Sequence, residues 1–460
     1  GGVIGIAVGG ATNLTVNNNT VNNITRTSVT SGLTYGIQMT SPTNVTFTAN
    51  TVSNIAITST SHSGLVYGIF GGSSSVNSSF ISNSISNLST TGTGANTVLG
   101  IYEFGTSGQK IWRSNTINNL STAGPGTVYG IRKGAGSASV TTDSIRLNSI
   151  SNLTVSGNGT LYGIFVSSAT VKVTVENNTL STFACAGITM VGINSSTGNV
   201  DIYNNSISGL TGNNVSSTPT GIAITGGTTH NIYANTISNI IATGTTAPSV
   251  RGVSVSAGTT ANIYSNKITD LSVPRSVSIG QTTGVSFNNA AVVNGALFSG
   301  GTTVNFYNNL IGNLSADSTA SKDAIRGVSV ISTTTSSSYN VYYNTIFLNA
   351  SSINSFGSFG TSGVYHLANT TATTAKLDLR NNIIVNTSTP GGGGLTQTVA
   401  FRRGGSSFAN LASTSNNNLY YGGTPSGINL IMHDTTNGYV NFSDYRTALG
   451  SSAESASFTD

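Results

Sequence analysis

Of 460 residues only 17 Lys and Arg and 12 Asp and Glu carry charge, about a quarter of the usual share, and the net charge of +5 is spread along the chain. That spread excludes an electrostatic grip on nucleic acid or on an anionic membrane, and no apolar run is long enough for membrane insertion. A single cysteine, Cys185, excludes a disulfide scaffold, and with His62, His230, His366 and His433 far apart no metal and no cofactor are expected.

In chain order, the first element is the strand-like Gly1-Gly2-Val3-Ile4-Gly5-Ile6-Ala7-Val8, with no amphipathic cap before it. Its Gly-Ile step returns as Gly followed by Ile or Val at Gly36, Gly68, Gly100, Gly130, Gly163, Gly192, Gly221, Gly252, Gly284, Gly327 and Gly363, with a period of about 31 residues. After each glycine comes an Asn with an aliphatic residue two places on: Asn19, Asn50, Asn83, Asn115, Asn148, Asn178, Asn205, Asn235, Asn266, Asn309, Asn344 and Asn382. The gap is 13 to 19 residues except in the tenth repeat, where 25 residues separate Gly284 from Asn309, read as an insertion around Asn288 to Gly301.

The position three before each Asn is always apolar (Phe47, Phe80, Trp112, Ile145), as is the position two after it (Val52, Ile85, Ile117, Ile150), and alternation around both has a period of two. Each repeat therefore predicts three short strands. A unit that small cannot bury its own apolar face, so units must stack. The predicted fold is all-β: a single right-handed parallel β-helix of about 12–13 coils with three parallel sheets and about 31 residues per coil. The repeated Asn are expected to form an internal ladder and to satisfy backbone groups at the turn. A second column, Asn23, Asn54, Asn87, Asn119, Asn152 and Asn239, is expected to do the same at the following turn. Repeats are assigned to residues 1–418 and an atypical, cap-like coil to residues 419–460.

This pattern resembles the right-handed parallel β-helix of the pectin-lyase-like superfamily. The closing stretches Asn416-Asn417-Asn418-Leu419-Tyr420-Tyr421 and Gly438-Tyr439-Val440-Asn441-Phe442-Ser443-Asp444-Tyr445-Arg446 resemble the C-terminal coils of large secreted bacterial surface proteins of the type IX export kind. The resemblance implies an extracellular or cell-surface location and a polypeptide that continues beyond Asp460. In the superfamily's enzymes, clustered carboxylates and a basic Arg or Lys act on acidic polysaccharides. The nearest match here is an outward column, Arg113, Arg146 and Glu176, with Asp201 diagonal to Glu176 and Lys172 on the same strand. Its competing reading is a surface ion-pair string in which Glu176 neutralises Arg146.

Two aromatic columns are candidates for contact with a protein partner or a glycan. Phe70, Tyr102, Arg132 and Phe165 follow the repeat glycine by two, and Tyr203, Tyr233, Tyr264, Tyr307 and Tyr342 precede the ladder Asn by two. Stacking within either column also stabilises the solenoid itself. Cys185 reads as a small buried hydrophobe. Scarce charge and the lack of a convergent carboxylate set favour a structural or adhesive segment of a long extracellular bacterial surface or filament protein, more a scaffold than an enzyme. Its partners would be neighbouring copies or further domains of the same polypeptide, and glycan. A polysaccharide-binding or -cleaving β-helix is the alternative; an ice- or surface-binding solenoid is weaker, because the outward Thr15, Thr46 and Thr174 column is broken by Ser79, Ile111, Asp201 and Asn231.

Overall fold

The period-two alternation of each repeat resolves into three strands. The computed structural model shows them as a right-handed parallel β-solenoid of about 12 turns, about 32 residues per turn, 60% strand and 2% helix. It describes residues 2–10, 12–27, 32–40, 43–59, 63–72, 77–105, 108–134, 142–167, 172–274, 291–317, 321–352, 358–391, 396–450 and 453–459. The chain forms two compact units, Gly1–Asn214 with Ile222–His230, and Val215–Gly221 with Asn231–Asp460.

Within the first unit, the glycine strands Leu33–Met39, Leu65–Gly71, Thr97–Glu103, Thr127–Lys133 and Thr160–Val166 are neighbours in one parallel sheet. The second sheet passes from Asn13–Asn17 to Asn199–Tyr203 and the third from Thr20–Arg26 to Ser206–Gly212, always pairing one coil with the next. In the second unit the first sheet runs through Ser249–Ala257, Val292–Phe298, Ile325–Val330, Thr361–His366, Thr398–Arg403 and Asn429–Asp434.

One repeat glycine is corrected by this register. Gly284 lies outside the described residues, as does His62. The glycine stacked between Gly252 and Gly327 is Gly295, in strand Val292–Phe298. It escapes the sequence pattern because Ala296, not Ile or Val, follows it. The extra residues therefore precede the glycine strand, and the spacing from Gly295 to Asn309 is ordinary.

The coils from that of Asn19 to that of Asn309 each turn on two residues with left-handed backbone; those of Asn344 and Asn382 keep only the first. One directly precedes the ladder Asn (Asn18, Ala49, Ser82, Ser114, φ 53–57°); the other sits inside the third strand at Asn23, Asn54, Asn87, Asn119, Asn152 and Asn239, with φ of 52–58°. This second residue shifts the side-chain parity, so that Val52, Ile55 and Ile57 all point inward from strand Thr51–Ile57. Asn is favoured there because its short polar side chain tolerates the left-handed region. Thr182 occupies the same column, exposed, at φ 61°. A β-branched residue there is strained by about 1–2 kcal/mol. Thr182→Asn is accordingly expected to raise the denaturant midpoint, by about 1 kcal/mol of stability; an unchanged midpoint would show that Thr182 bears no such strain.

The ladder is present and buried. In each rung the Oδ1 of one Asn accepts both the backbone N–H and the side-chain Nδ2–H of the Asn one coil earlier. For Asn148 these come from Asn115 at 3.0 and 2.9 Å. Asn148 Nδ2 in turn donates to Asn178 Oδ1 at 2.9 Å and to the Trp112 carbonyl at 3.1 Å. Such rungs join Asn19, Asn50, Asn83, Asn115, Asn148, Asn178 and Asn205 in the first unit. They join Asn235, Asn266, Asn309, Asn344, Asn382 and a further Asn418 in the second. The second predicted column differs: Asn23, Asn54, Asn87 and Asn119 do link side chain to side chain, but on the exposed surface. A ladder not foreseen joins Asn231, Asn262, Asn305 and Asn340 on the outward face of the second sheet.

At the last rung Asn418 donates its backbone N–H to Ser457 Oγ at 2.8 Å, and Tyr420 OH donates to buried Glu454 at 2.9 Å. Burial raises the Glu454 carboxyl above its usual range. A short helix, α1 (Phe442–Leu449), places fully buried Tyr445 edge-on to Phe401, Tyr420 and Phe442. Ladder and apolar core thus both end against this segment.

Candidate functional site

On the outward face of the first unit's glycine sheet, two columns flank the glycine. Phe70, Tyr102, Arg132 and Phe165 are Cα partners in consecutive coils, as their spacing predicts. The column one residue before the glycine was missed: Tyr35, Tyr67, Leu99, Tyr129 and Tyr162 also stack in register. Its signal stood in the repeated Tyr-Gly step, which reads equally well as an ordinary strand.

The two columns interlock. Tyr35 and Tyr67 stack at 4.9 Å and 8°, and Phe70 meets Tyr67 at 5.1 Å and Tyr102 at 5.6 Å. Tyr129 and Tyr162 stack at 5.3 Å, with Phe165 edge-on to Tyr162 at 4.9 Å. The Arg132 guanidinium bridges the two groups, 4.9 Å from the Tyr102 ring, 5.0 Å from Tyr129 and 5.9 Å from Phe165. Phe104, 41% exposed, extends the patch beside Tyr102. Burial raises the phenols of Tyr67, Tyr102, Tyr129 and Tyr162, so these rings stay uncharged. Tyr35, Tyr67 and Leu99 are buried beneath the patch, while Phe70, Tyr102, Tyr129, Arg132, Tyr162 and Phe165 make a fixed, half-buried surface with one cation in it, suited to stacking against the apolar face of a ring or side chain.

On the second sheet, Arg113, Arg146, Glu176 and Tyr203 follow one another in register. The candidate polar set does not converge. Lys172 pairs with Asp201 at 2.6 Å, while the Tyr203 hydroxyl donates to Glu176. The two carboxylates thus engage different partners, and among the described residues no ion pair joins Arg146 to Glu176. In the second unit the same outward position carries the tyrosines: Tyr233, Tyr264 and Tyr307 stack at 4.9 Å with ring planes within 6°. Tyr342 donates to Asp378 at 2.9 Å and lies under Arg380; burial first, and then Asp378, pushes its phenol up to about 12.

The glycine sheet of the second unit is polar where that of the first is aromatic. Asp323 pairs with Arg326 at 2.7 Å and with Arg402 at 3.5 Å, Arg326 lies 3.8 Å over the Tyr365 ring, and Arg402 reaches Ser362 at 2.9 Å. Asp323 and Arg326 are three residues apart, but Ser362, Tyr365 and Arg402 come from later coils and only the coil register brings them to that pair, so no local motif announces the cluster.

Cys185, His230 and His366 are buried, and His433 is half-buried. Cys185 is a free thiol raised to about 11 by burial, as expected of a core residue. Among the described residues no group of His, Cys, Asp and Glu is placed to hold a metal. His230 is fully buried, its Nε2 2.9 Å from Ser195 Oγ, and burial lowers it from 6.5 to about 4. A base lowered on folding takes up its proton more readily when unfolded, so its contribution is whole above about pH 6.5 and is lost as pH falls toward 4. Fully buried His366 is shifted in the same direction, by burial and then by Arg403. Denaturation midpoints measured between pH 7 and 4 are expected to fall, with roughly 3 kcal/mol from His230 alone. In His230→Asn the His230 share of that loss should disappear while the His366 share remains; an undiminished loss in the variant would assign it elsewhere.

Comparison of the chain with protein-family models, with curated proteins and with solved structures finds no match.

Proposed function

We propose that the chain is a non-catalytic adhesive segment of an extracellular bacterial surface or filament protein, of the kind that the type IX route exports. Its contact surface is the aromatic face of the first unit, and its partners are glycan and neighbouring copies or further domains of the same polypeptide. The observation that carries this reading is the interlocked Tyr67, Phe70, Tyr102, Arg132, Tyr129 and Phe165. A polysaccharide-cleaving role would require Arg146, Lys172, Glu176 and Asp201 to act together; the Lys172–Asp201 pair and the Tyr203–Glu176 hydrogen bond instead draw them apart.

The test is retention of the purified chain on a panel of immobilised neutral and acidic polysaccharides. Retention on at least one is expected, with roughly a tenfold loss in Tyr102→Ala/Phe165→Ala, since each ring contact contributes about 0.5–1.5 kcal/mol. Retention unchanged in that variant, or none on any member, would reject the aromatic face as a glycan contact. Unsaturated, ultraviolet-absorbing product formed from an acidic polysaccharide and lost in Arg146→Ala would establish the lyase reading instead.

A further inference from the structure

In a chain poor in charge, the first unit buries four charged side chains together. Glu103 and Lys133 end strands Thr97–Glu103 and Thr127–Lys133 and are Cα partners in the glycine sheet. Lys110 and Asp143 open strands Lys110–Arg113 and Asp143–Arg146, neighbours in the second sheet. Each of the four residues is 1% exposed. Lys110 Nζ lies 3.5 Å from Glu103 Oε1, and Lys133 Nζ lies 2.7 Å from Asp143 Oδ2. Trp112, inward on the strand of Lys110, and Phe80, stacked on it at 5.8 Å, are both fully buried.

An ion pair buried so completely gains little over an apolar pair, because desolvation offsets the attraction. The amide that the same two groups form by losing water carries no charge. The two oxygens of Asp143 are already differentiated: Oδ1 accepts the Lys110 backbone N–H at 2.7 Å, whereas Oδ2 faces the Lys133 amine. A fixed donor on Oδ1 stabilises the negative charge that develops on that oxygen when a nucleophile adds to Cγ. Burial also lowers the neighbouring Lys110 amine below its usual range.

We propose that Lys133 and Asp143 condense into an intramolecular isopeptide bond. One proton passes from the Lys133 ammonium to Oδ2, leaving a neutral amine beside a neutral carboxyl group. The nitrogen lone pair adds to Cγ, and the resulting oxyanion on Oδ1 is held by the Lys110 N–H. A second proton moves from nitrogen to Oδ2, the Cγ–Oδ2 bond breaks, and one water leaves. The ion pair contains every proton the reaction needs, so no oxidant, cofactor or activating group enters. The bond would tie the glycine sheet to the second sheet beside Arg132, the cation of the aromatic face, and it does not depend on what that face binds.

The test is the intact mass of the purified full chain under denaturing conditions. The expected mass is that of the sequence less one water, with the deficit falling after trypsin in a single looped peptide, Lys133 to Arg146, closed by the bond from Lys133 to Asp143. Lys133→Arg, which keeps the ion pair but cannot condense in this way, should restore the full mass. Lys172→Arg, which alters a pair of similar length whose lysine side chain is 51% exposed, should leave the deficit in place. A wild-type chain of full mass after prolonged incubation, or a deficit that survives Lys133→Arg, would overturn the proposal.

Discussion

Replacing Asn148 by leucine is expected to destabilise the protein by roughly 3–6 kcal/mol, among the largest effects of any single substitution here. The volume change is small, so the effect isolates the hydrogen bonds. Leucine takes the acceptor from the Asn115 backbone N–H, one of two acceptors from the Asn115 side-chain amide, which keeps the Phe80 carbonyl, and a donor from the Trp112 carbonyl, all in the interior. Each buried polar group left unsatisfied costs about 1–3 kcal/mol. Asn119→Gly provides the contrast. That residue lies on the exposed ladder, donates one side-chain hydrogen bond to Asn87, and has a left-handed backbone that glycine adopts freely. Its cost should stay below about 1 kcal/mol. Similar losses in the two variants, read from denaturant midpoints, would show that the inner ladder is no stronger than the outer one.

Gly100→Ala is expected to cost about 3 kcal/mol for a single methyl group, the upper end of what overpacking usually costs. A Cβ on Gly100 would lie 2.5 Å from the Gly130 carbonyl oxygen in the next coil and 2.8 Å from Ile117 Cγ2. Neither neighbour can withdraw easily: the first is sheet backbone and the second is a fully buried core side chain. Relief would require the two coils to separate locally, which would disturb the stacking of Tyr102 on its neighbours. Gly427→Ala, where nothing lies within 4 Å, should be nearly silent. If Gly100→Ala proves equally silent, the glycine column owes its repetition to something other than close coil packing.

The legible part of the fold was whatever must recur in every coil. The glycine column recurs because a coil rises only one strand spacing and leaves no room for a side chain there, and the Asn column because each rung needs the next. Both are visible as spacing. Gly295 escaped because the residue after it changed while the constraint on the glycine itself did not. The tyrosines before the glycine escaped for a different reason. At that position strand periodicity indicates only an outward direction; whether the ring lies open or packs against Phe70, Tyr102 and Phe165 depends on both columns at once. Charged groups were the least legible. Lys133 and Asp143, like Glu103 and Lys110, stand at strand ends, where the inward-outward alternation restarts after a connection whose length varies. Parity could therefore not show that they point inward.

A rigid stack, tied rung by rung, is what holds the aromatic face in place, and amide hydrogen exchange tests that directly. The ladder amides of Asn83, Asn115 and Asn148 donate to buried side-chain oxygens. They should exchange only through global unfolding, as slowly as the most protected amides of the molecule. Exchange of these three amides through local opening, well ahead of global unfolding, would contradict the account.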